Sequence, residues 1–258
     1  MKSLPKNTAQ FADYFREHTD SYVLIGGVAT LYHEEKRTRS ASRATKDLDI
    51  VVLDLSEGET TSAFLKLFKQ YVKENKYTCT QLSGDKNQNF RFSNPESGLA
   101  PGLIEIISKR FVPDEQGTQR LEDSEMSAIA LSEDFYELAR KSKTTEVIEE
   151  LGTAGLPVAT PTALILLKAF AYQNLMKSDK KDDRSKAPKH LSDIARLAAI
   201  LTDADSIIVS TAVYDPLKTI LEKSEDHFPP AKTVNLGWKK NTPAAEVVKS
   251  ITDRIKIA

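Results

Sequence analysis

The stretch from Tyr22 to Leu53, YVLIGGVATLYHEEKRTRSASRATKDLDIVVL, carries the pattern from which the fold can be predicted. Its first four residues are apolar and typical of a short buried strand, which Gly26-Gly27 then interrupts. Residues 28–36 suit a helix, and residues 49–53 suit a second strand with a β-branched centre. The stretch therefore predicts a strand–helix–strand unit whose second strand opens on Asp47-Leu48-Asp49.

Asp47 and Asp49 are two positions apart at the start of that second strand. Side chains at i and i+2 of a strand point to the same face, so the two carboxylates are expected to lie close together. Ionised carboxylates this close repel each other unless a cation bridges them, and Mg²⁺ or Mn²⁺ prefers such oxygen ligands. The pattern indicates a metal site; the alternative is a solvated strand end with two acidic residues.

The glycine pair has a related interpretation. Two glycines between a strand and a helix let backbone amides approach an anion, and a helix N-terminus favours negative charge. The alternative is a tight turn that needs a positive φ angle. Because Gly26-Gly27 precedes a carboxylate pair, the sequence favours a site that binds phosphate and metal together. Phosphoryl and nucleotidyl transfer require such a site.

Glu105 lies inside an apolar run, Leu103-Ile104-Glu105-Ile106-Ile107. A buried carboxylate is costly unless it is paired or bound to a metal, so Glu105 is a candidate for the same metal site. The alternative is an edge strand on which Glu105 faces water.

Lys168 is the one charged residue of a predicted apolar helix, Thr162–Met176. Its ammonium group either extends along the helix to water or points at phosphates. Lys189 and Asp193 are four residues apart and share a helical face. For these two, a surface ion pair is the alternative to a functional role.

Composition and charge limit the classes of protein that remain. The chain has 258 residues, and 36 Lys and Arg nearly balance 37 Asp and Glu, so a general nucleic-acid coat protein is excluded. A single cysteine, Cys79, excludes an intrachain disulfide framework. We expect no membrane span, because no run is long and apolar enough, and we predict a cytoplasmic protein.

Periodicity divides the chain into two predicted domains. Residues 1–150 alternate strands and helices and predict an α/β (α+β) domain around a mixed sheet. Residues 151–258 predict a mainly helical domain, whose first helix begins at the capping pair Thr160-Pro161. Other predicted elements are helices at 7–18, 60–74 and 190–201, and paired strands at 77–83 and 88–93. Residues 125–150 show no clear period.

These residues resemble the signature of polymerase-β-like nucleotidyltransferases. The matching motifs are Gly26-Gly27-Val28-Ala29 and Arg43-Ala44-Thr45-Lys46-Asp47-Leu48-Asp49-Ile50. Within that superfamily the chain looks most like the AbiEii/AbiGii toxin group, to which the MenT toxins are related. The second half adds a motif that leads from Leu156-Pro157-Val158 to Leu167-Lys168, similar to the family's Pro-Val … Leu-Lys helix, and the run Lys189-His190-Leu191-Ser192-Asp193-Ile194.

The resemblance implies a role for each motif residue. Asp47 and Asp49 would bind the metal ions, Glu105 would be the third carboxylate, and Gly26 and Gly27 would lie against the triphosphate. In the second half, Lys168 would contact phosphate, while Asp193 would position the nucleotide or that lysine. Arg43 and Thr45 would brace the site, and Lys189 belongs to the matching nucleotide-binding motif. The helical domain would then complete the active site.

The implied activity is metal-dependent transfer of a nucleoside monophosphate from an NTP to an acceptor, with Mg²⁺ or Mn²⁺ as cofactor. The resemblance implies the toxin of a toxin–antitoxin or phage-defence system, with an antitoxin protein as a possible partner. The resemblance implies an RNA, such as a tRNA 3′ end, or a protein as the acceptor. The alternatives are a small-molecule acceptor, as in antibiotic nucleotidyltransferases, and a catalytically silent module that binds a nucleotide or a partner.

The chain departs from the family pattern in two places, the segment before Asp47 and position 190. Twenty positions separate Gly27 from Asp47, more than is usual, and residues 36–46 of this segment carry five basic residues. A second charged segment, Lys177–His190, has six Lys or Arg against three Asp. Both segments are either RNA contacts or solvated loops. His190 stands where the family tends to have Asp, so no role is transferred to it.

Overall fold

The computed structural model describes residues 6–38, 47–53, 62–79, 90–109, 118–120, 127–147, 155–233 and 236–258. The chain divides into two compact units. Unit 1 comprises Met1–Ala29 and Arg43–Ala159, and unit 2 comprises Thr30–Ser42 and Thr160–Ala258.

A mixed β-sheet forms the centre of unit 1. Its strands are Tyr22–Ile25 (β1), Asp47–Val52 (β2), Thr78–Cys79 (β3), Arg91–Ser93 (β4), Leu103–Lys109 (β5), Thr118–Arg120 (β6), Ser127–Leu131 (β7), Lys143–Val147 (β8) and Gly155–Ala159 (β9). Their order is β3-β4-β5-β2-β1-β9-β8, and β7 pairs with both β5 and β6. β2 runs parallel to β5 and antiparallel to β1, so both parallel and antiparallel ladders occur. The mixed sheet that the sequence predicts is confirmed.

The two faces of this sheet differ in burial. Along β5, Ile104 and Ile106 are fully buried, whereas Leu103, Glu105 and Ile107 are partly exposed. This alternation follows from the two-residue period of a strand, which sends successive side chains to opposite faces. One face of β5 therefore belongs to the core, and the other face, which carries Glu105, is partly exposed to solvent.

Helices and aromatic rings build the core of unit 1. The helices are Lys6–Tyr14 (α1), the first turn of Gly26–Thr38 (α2), Ala63–Glu74 (α3) and Glu133–Lys141 (α4). Ser62 caps α3, since its Oγ accepts a hydrogen bond from the Leu65 amide at 3.1 Å. The rings that pack between α1, α3 and β1 are all fully buried: Phe11, Phe15, Tyr22, Phe64, Phe68 and Tyr71.

Unit 2 is mainly helical. Besides the rest of α2, its helices are Pro161–Lys177 (α5), Lys181–Lys186 (α6), Pro188–Ala199 (α7), Thr211–Leu221 (α8), Ser224–His227 (α9), Pro230–Thr233 (α10) and Ala244–Arg254 (α11). Strands Ile207–Val209 (β10) and Ile255–Ile257 (β11) form a parallel pair. α5 is buried along its first nine residues and packs against α7 and α8. Among the described residues, no helix has the length and apolarity needed to cross a membrane.

Most of the predicted elements are present, with shifted ends. The predicted helix at 28–36 begins earlier, at Gly26, so both glycines lie in its first turn. The loop interpretation of Lys177–His190 is wrong, because this segment contains α6 and the start of α7. The edge-strand alternative for Glu105 is also wrong, because β5 lies inside the sheet between β4 and β2.

An ion pair in unit 2 accounts for one residue of the predicted basic loop. The Arg37 guanidinium donates to both carboxylate oxygens of Asp205 at 2.7 Å and to the Ile200 carbonyl at 2.6 Å. The Thr202 amide and hydroxyl also donate to Asp205, each at 2.7 Å. Burial alone would raise the pKa of Asp205, but the hydrogen bonds from Arg37 and Thr202 outweigh it and hold that pKa below its ordinary 3.8. Arg37 is therefore part of the fold of unit 2.

We expect Asp205→Asn to lower the free energy of unfolding by about 3 kcal/mol near neutral pH, because Arg37 loses its counter-ion in a partly buried position. A carboxyl whose pKa is lower in the folded state contributes stability above its ordinary pKa, and this contribution is lost as the pH falls through the lower, folded value. The difference between wild type and variant should thus shrink below pH 3.8.

Urea denaturation at a series of pH values measures this effect. Asp203→Asn is the control, because the Asp203 side chain is 97% exposed two residues away. A loss below about 1 kcal/mol for Asp205→Asn would show that the ion pair contributes little, as surface pairs do.

Candidate active site

A close backbone approach places Asp49 against the start of helix α2. Gly26 has φ +70°, and a Cβ built on it would lie only 1.8 Å from Asp49 Oδ2 and 2.7 Å from Asp49 Cγ. β1 leads directly into α2, and Ile25 is the register partner of Asp49 on β2. Glycine is therefore required at position 26 for two independent reasons, its positive φ angle and the space that Asp49 occupies.

The start of α2 also provides a favourable place for negative charge. The first amide groups of a helix have no partner within the helix, and the helix dipole adds partial positive charge there. Gly26 and Gly27 form the first turn, beside the carboxylate of Asp49. This arrangement suits an anion such as a phosphate.

Asp47 and Asp49 lie in the same strand with a buried leucine between them. Leu48 is 1% exposed, whereas Asp47 is exposed and Asp49 partly exposed. The alternation of a strand directs both carboxylates to the face opposite Leu48. In the parallel pairing of β2 with β5, Asp49 is the register partner of Glu105 and Asp47 that of Leu103. The three predicted carboxylates therefore occupy one face of two neighbouring strands.

Arg91 is a charged residue of this face that the sequence patterns did not single out. On β4 it is the register partner of Glu105, and its Nε lies 3.3 Å from Glu105 Oε1. The sequence predicts a strand over 88–93 but does not indicate that this strand pairs with the one carrying Glu105. That pairing makes Arg91, Glu105 and Asp49 a row across three strands.

The chemistry of these three carboxylates suits a hard divalent cation. Carboxylate oxygens are the ligands that Mg²⁺ and Mn²⁺ prefer, and two of the three carboxylates belong to one strand. Within the described ranges, however, no group of three acidic, histidine or cysteine side chains is close enough together to hold a metal ion. Glu105 points at Arg91, so in this arrangement it does not complete such a group.

In unit 2, the predicted site residues belong to a buried network of charges. Lys168 on α5 donates to Asp193 Oδ2 on α7 at 2.7 Å, and both side chains are 9% exposed. Arg196 lies 3.4 Å from the other oxygen of Asp193 and 3.7 Å from Glu34 Oε1 on α2. Asp193 is therefore buried and paired from two sides, and the surface-pair alternative does not describe it.

The remaining predicted residues are less informative. Lys189 is exposed in the first turn of α7, and His190 beside it is partly exposed. Arg43 and Thr45 lie outside the described residues, as do residues 39–46 of the predicted basic loop. Lys36 belongs to α2.

The buried pair in unit 2 makes a stability prediction. We expect Lys168→Met to lower the free energy of unfolding by about 3 kcal/mol, because a buried carboxylate loses its closest counter-ion. Urea denaturation tests this, with Lys249→Met as the control, since Lys249 pairs with Asp253 at 2.6 Å on an exposed helix surface. Similar denaturation midpoints for the two variants would contradict the role of burial.

Comparison with known proteins agrees with the geometry. The family model described as "Nucleotidyl transferase AbiEii toxin, Type IV TA system" matches residues 12–236. Among curated proteins, no sequence matches the chain.

Solved structures of three proteins resemble the chain to different degrees. An antigenic nucleotidyltransferase-like protein from Paracoccidioides brasiliensis matches with TM-score 0.50 and 15% identity, over 93% of this chain and 95% of that one. The antibiotic-resistance factor ANT(2'')-Ia matches with TM-score 0.38 and 10% identity, over 86% and 97%. The CD-NTase CdnG of Bradyrhizobium diazoefficiens, solved with GTP, matches with TM-score 0.25 and 14% identity, over 95% and 90%.

The first of these similarities supports a nucleotidyltransferase-like fold, and the family model covers most of the chain. The family predicted from the glycine pair and the Asp-Leu-Asp triplet is thus confirmed. The chain belongs to the AbiEii nucleotidyltransferase toxin family and is a nucleotidyltransferase.

Proposed function

We propose that this protein transfers a nucleoside monophosphate from an NTP to an acceptor hydroxyl, in a reaction that depends on Mg²⁺ or Mn²⁺. The observation that supports the proposal is the close contact between the first turn of α2 and Asp49, because a helix start favours a phosphate and carboxylates favour a divalent ion. We further propose that the protein acts as the toxin of a toxin–antitoxin pair, in keeping with the description of its family.

Each predicted site residue of unit 1 has a part in this proposal. Asp47 and Asp49 would hold the metal, and Glu105, in register with Asp49, would be the third ligand. A divalent ion held there offsets negative charge on the triphosphate. The amides of Gly26 and Gly27 would donate to phosphate oxygens. We assign Arg43 and Thr45 to bracing this site.

In the proposed transfer, one bond to the α-phosphorus forms and one breaks. The acceptor oxygen forms a bond to the α-phosphorus, and the bond from that phosphorus to the bridging oxygen of the β-phosphate breaks. Pyrophosphate leaves, and the proton of the hydroxyl passes to a carboxylate of the face, for which Glu105 is our candidate. From unit 2 we assign Lys168, Lys189 and Asp193 to nucleotide binding, with Asp193 positioning Lys168 through their ion pair.

For the acceptor we propose RNA, such as a tRNA 3′ end. The supporting observation is the exposure of six basic side chains around α6: Lys177, Lys180, Lys181, Arg184, Lys186 and Lys189. Basic side chains at the surface of a folded unit can neutralise phosphates of an RNA backbone. A protein or a small molecule as acceptor would be detected as a different outcome of the same experiment.

The experiment is to incubate the protein with each of the four α-labelled NTPs, Mg²⁺, total bacterial RNA and a protein extract. We expect label in a discrete RNA species with one preferred NTP, and a rate that falls steeply with added salt because RNA contacts release counterions. Label in protein or in a small molecule would overturn the RNA assignment. Nucleotide binding without any labelled product would overturn the proposed activity and favour a silent module.

A further inference from the structure

The pairing of Arg91 with Glu105 lies within the proposed metal site. Arg91 Nε is 3.3 Å from Glu105 Oε1, with 46% of the arginine side chain and 23% of the glutamate side chain exposed. Their strands β4 and β5 are hydrogen-bonded neighbours, and the two residues are register partners. Backbone pairing therefore holds the guanidinium beside this carboxylate.

The row formed by Arg91, Glu105 and Asp49 has a clear electrostatic order. Neighbouring strands lie about 4.8 Å apart, so Glu105 has a carboxylate on one side and a guanidinium on the other. Like charges at this spacing repel and unlike charges attract, so Glu105 is drawn towards Arg91 and away from Asp49. This order explains why the described acidic residues do not gather into a three-membered metal site.

We infer that Arg91 is a positioning residue that takes the place of the cation at Glu105 when no metal is bound. The inference rests on the proposed function. Glu105 then has to leave Arg91 before it can bind a divalent ion, so this arginine weakens metal binding. When no metal is bound, the positive charge of Arg91 offsets the repulsion between the carboxylates. Because both side chains of this ion pair are partly exposed, the pair contributes little free energy, and breaking it costs little.

Two consequences follow for metal affinity. Removing the guanidinium chiefly removes a competitor for Glu105. The repulsion that this exposed charge exerts on the metal is screened by water and accounts for less than about twofold in affinity. Arg91→Gln should therefore bind metal more tightly, by about threefold to tenfold. Arg91→Lys keeps a cation at the same place and should restore an affinity close to wild type.

A matched control is available within unit 1. Arg140 pairs with Glu137, and the two side chains are 49% and 28% exposed, close to the values for Arg91 and Glu105. Arg140→Gln removes the same charge from an equally exposed ion pair on α4. We expect it to leave metal affinity unchanged.

The test is a titration of the full chain with Mn²⁺, in which electron paramagnetic resonance measures the free ion. The variants are Arg91→Gln, Arg91→Lys, Arg140→Gln, Glu105→Gln and the double variant Arg91→Gln with Glu105→Gln. We expect Arg91→Gln to lower the Kd by threefold to tenfold in the wild-type background, and by less than twofold in the Glu105→Gln background. Circular dichroism confirms that each variant is folded, and Arg91→Met, which also removes the positive charge, serves as the second probe if Arg91→Gln is not.

The possible outcomes separate this inference from the proposed function. An unchanged or higher Kd for Arg91→Gln would overturn the role of Arg91 while leaving the metal site in place. An equal decrease in the Glu105→Gln background would also overturn it, because the effect would then not pass through Glu105. If the wild-type chain binds no Mn²⁺, the proposed metal dependence fails, and the inference fails with it.

Discussion

Asp49→Asn is expected to lower nucleotidyl transfer by about a thousandfold or more, which corresponds to about 4 kcal/mol of lost transition-state stabilisation. The substitution keeps the size and shape of the side chain but removes its negative charge. Asp49 contacts the first turn of α2 and is the register partner of Glu105 on the neighbouring strand. Its negative charge is therefore part of the proposed metal site.

The fold should survive this change. An amide in place of one carboxylate relieves repulsion with Glu105 but loses the attraction to the start of α2, so thermal stability should change little. Asp20→Asn is the control, because the Asp20 side chain is 97% exposed at a surface ion pair with Lys143. Turnover of Asp49→Asn within tenfold of wild type, measured with α-labelled nucleotide, would rule out an essential role for this carboxylate.

Gly26→Ala should damage both stability and activity. The added methyl group would lie 1.8 Å from Asp49 Oδ2, a distance that no real contact allows, so the carboxylate has to move. The φ angle of +70° adds strain for any residue with a Cβ. We expect a loss of about 3 kcal/mol in unfolding free energy, together with at least a hundredfold loss of transfer.

A second glycine provides the control for this prediction. A Cβ built on Gly98 meets nothing within 4 Å, so Gly98→Ala should leave both quantities unchanged. Urea denaturation and the transfer assay measure the two effects. If Gly26→Ala resembles Gly98→Ala in both, then the close approach of α2 to Asp49 has no importance for the site.

The elements with strong local signals are the ones the sequence predicts well. β1 and α5 begin where predicted, because their apolar patterns are unbroken and Thr160 accepts a hydrogen bond from the Ala163 amide as a helix cap. The start of α2 was harder to predict, since glycine is rare within helices but is acceptable in the first turn. α6 has no apolar face, so its charged sequence resembles a loop.

The candidate site likewise contains some residues that local sequence patterns predict and others that they do not. The positions of Asp47 and Asp49 on one strand follow from local spacing, and the structure has them there. The pairing of Arg91 with Glu105 depends on β4 lying beside β5, a contact between strands that no local pattern encodes. Arg196 pairs with Asp193 by a local i,i+3 contact within α7, but its contact with Glu34 on α2 likewise depends on the fold. Sequence motifs thus identify the acidic residues and Lys168, whereas Arg91 and the contact of Arg196 with Glu34 become visible only in the fold.

The central claim is that the phosphate transferred by this protein is the α-phosphate of an NTP. Parallel reactions with α-labelled and γ-labelled NTP, with Mg²⁺ and with EDTA, test it most directly. The account predicts label on the acceptor from the α position alone, γ label only in released pyrophosphate, and no reaction in EDTA. Acceptor labelled from the γ position, or full transfer in EDTA, would contradict it.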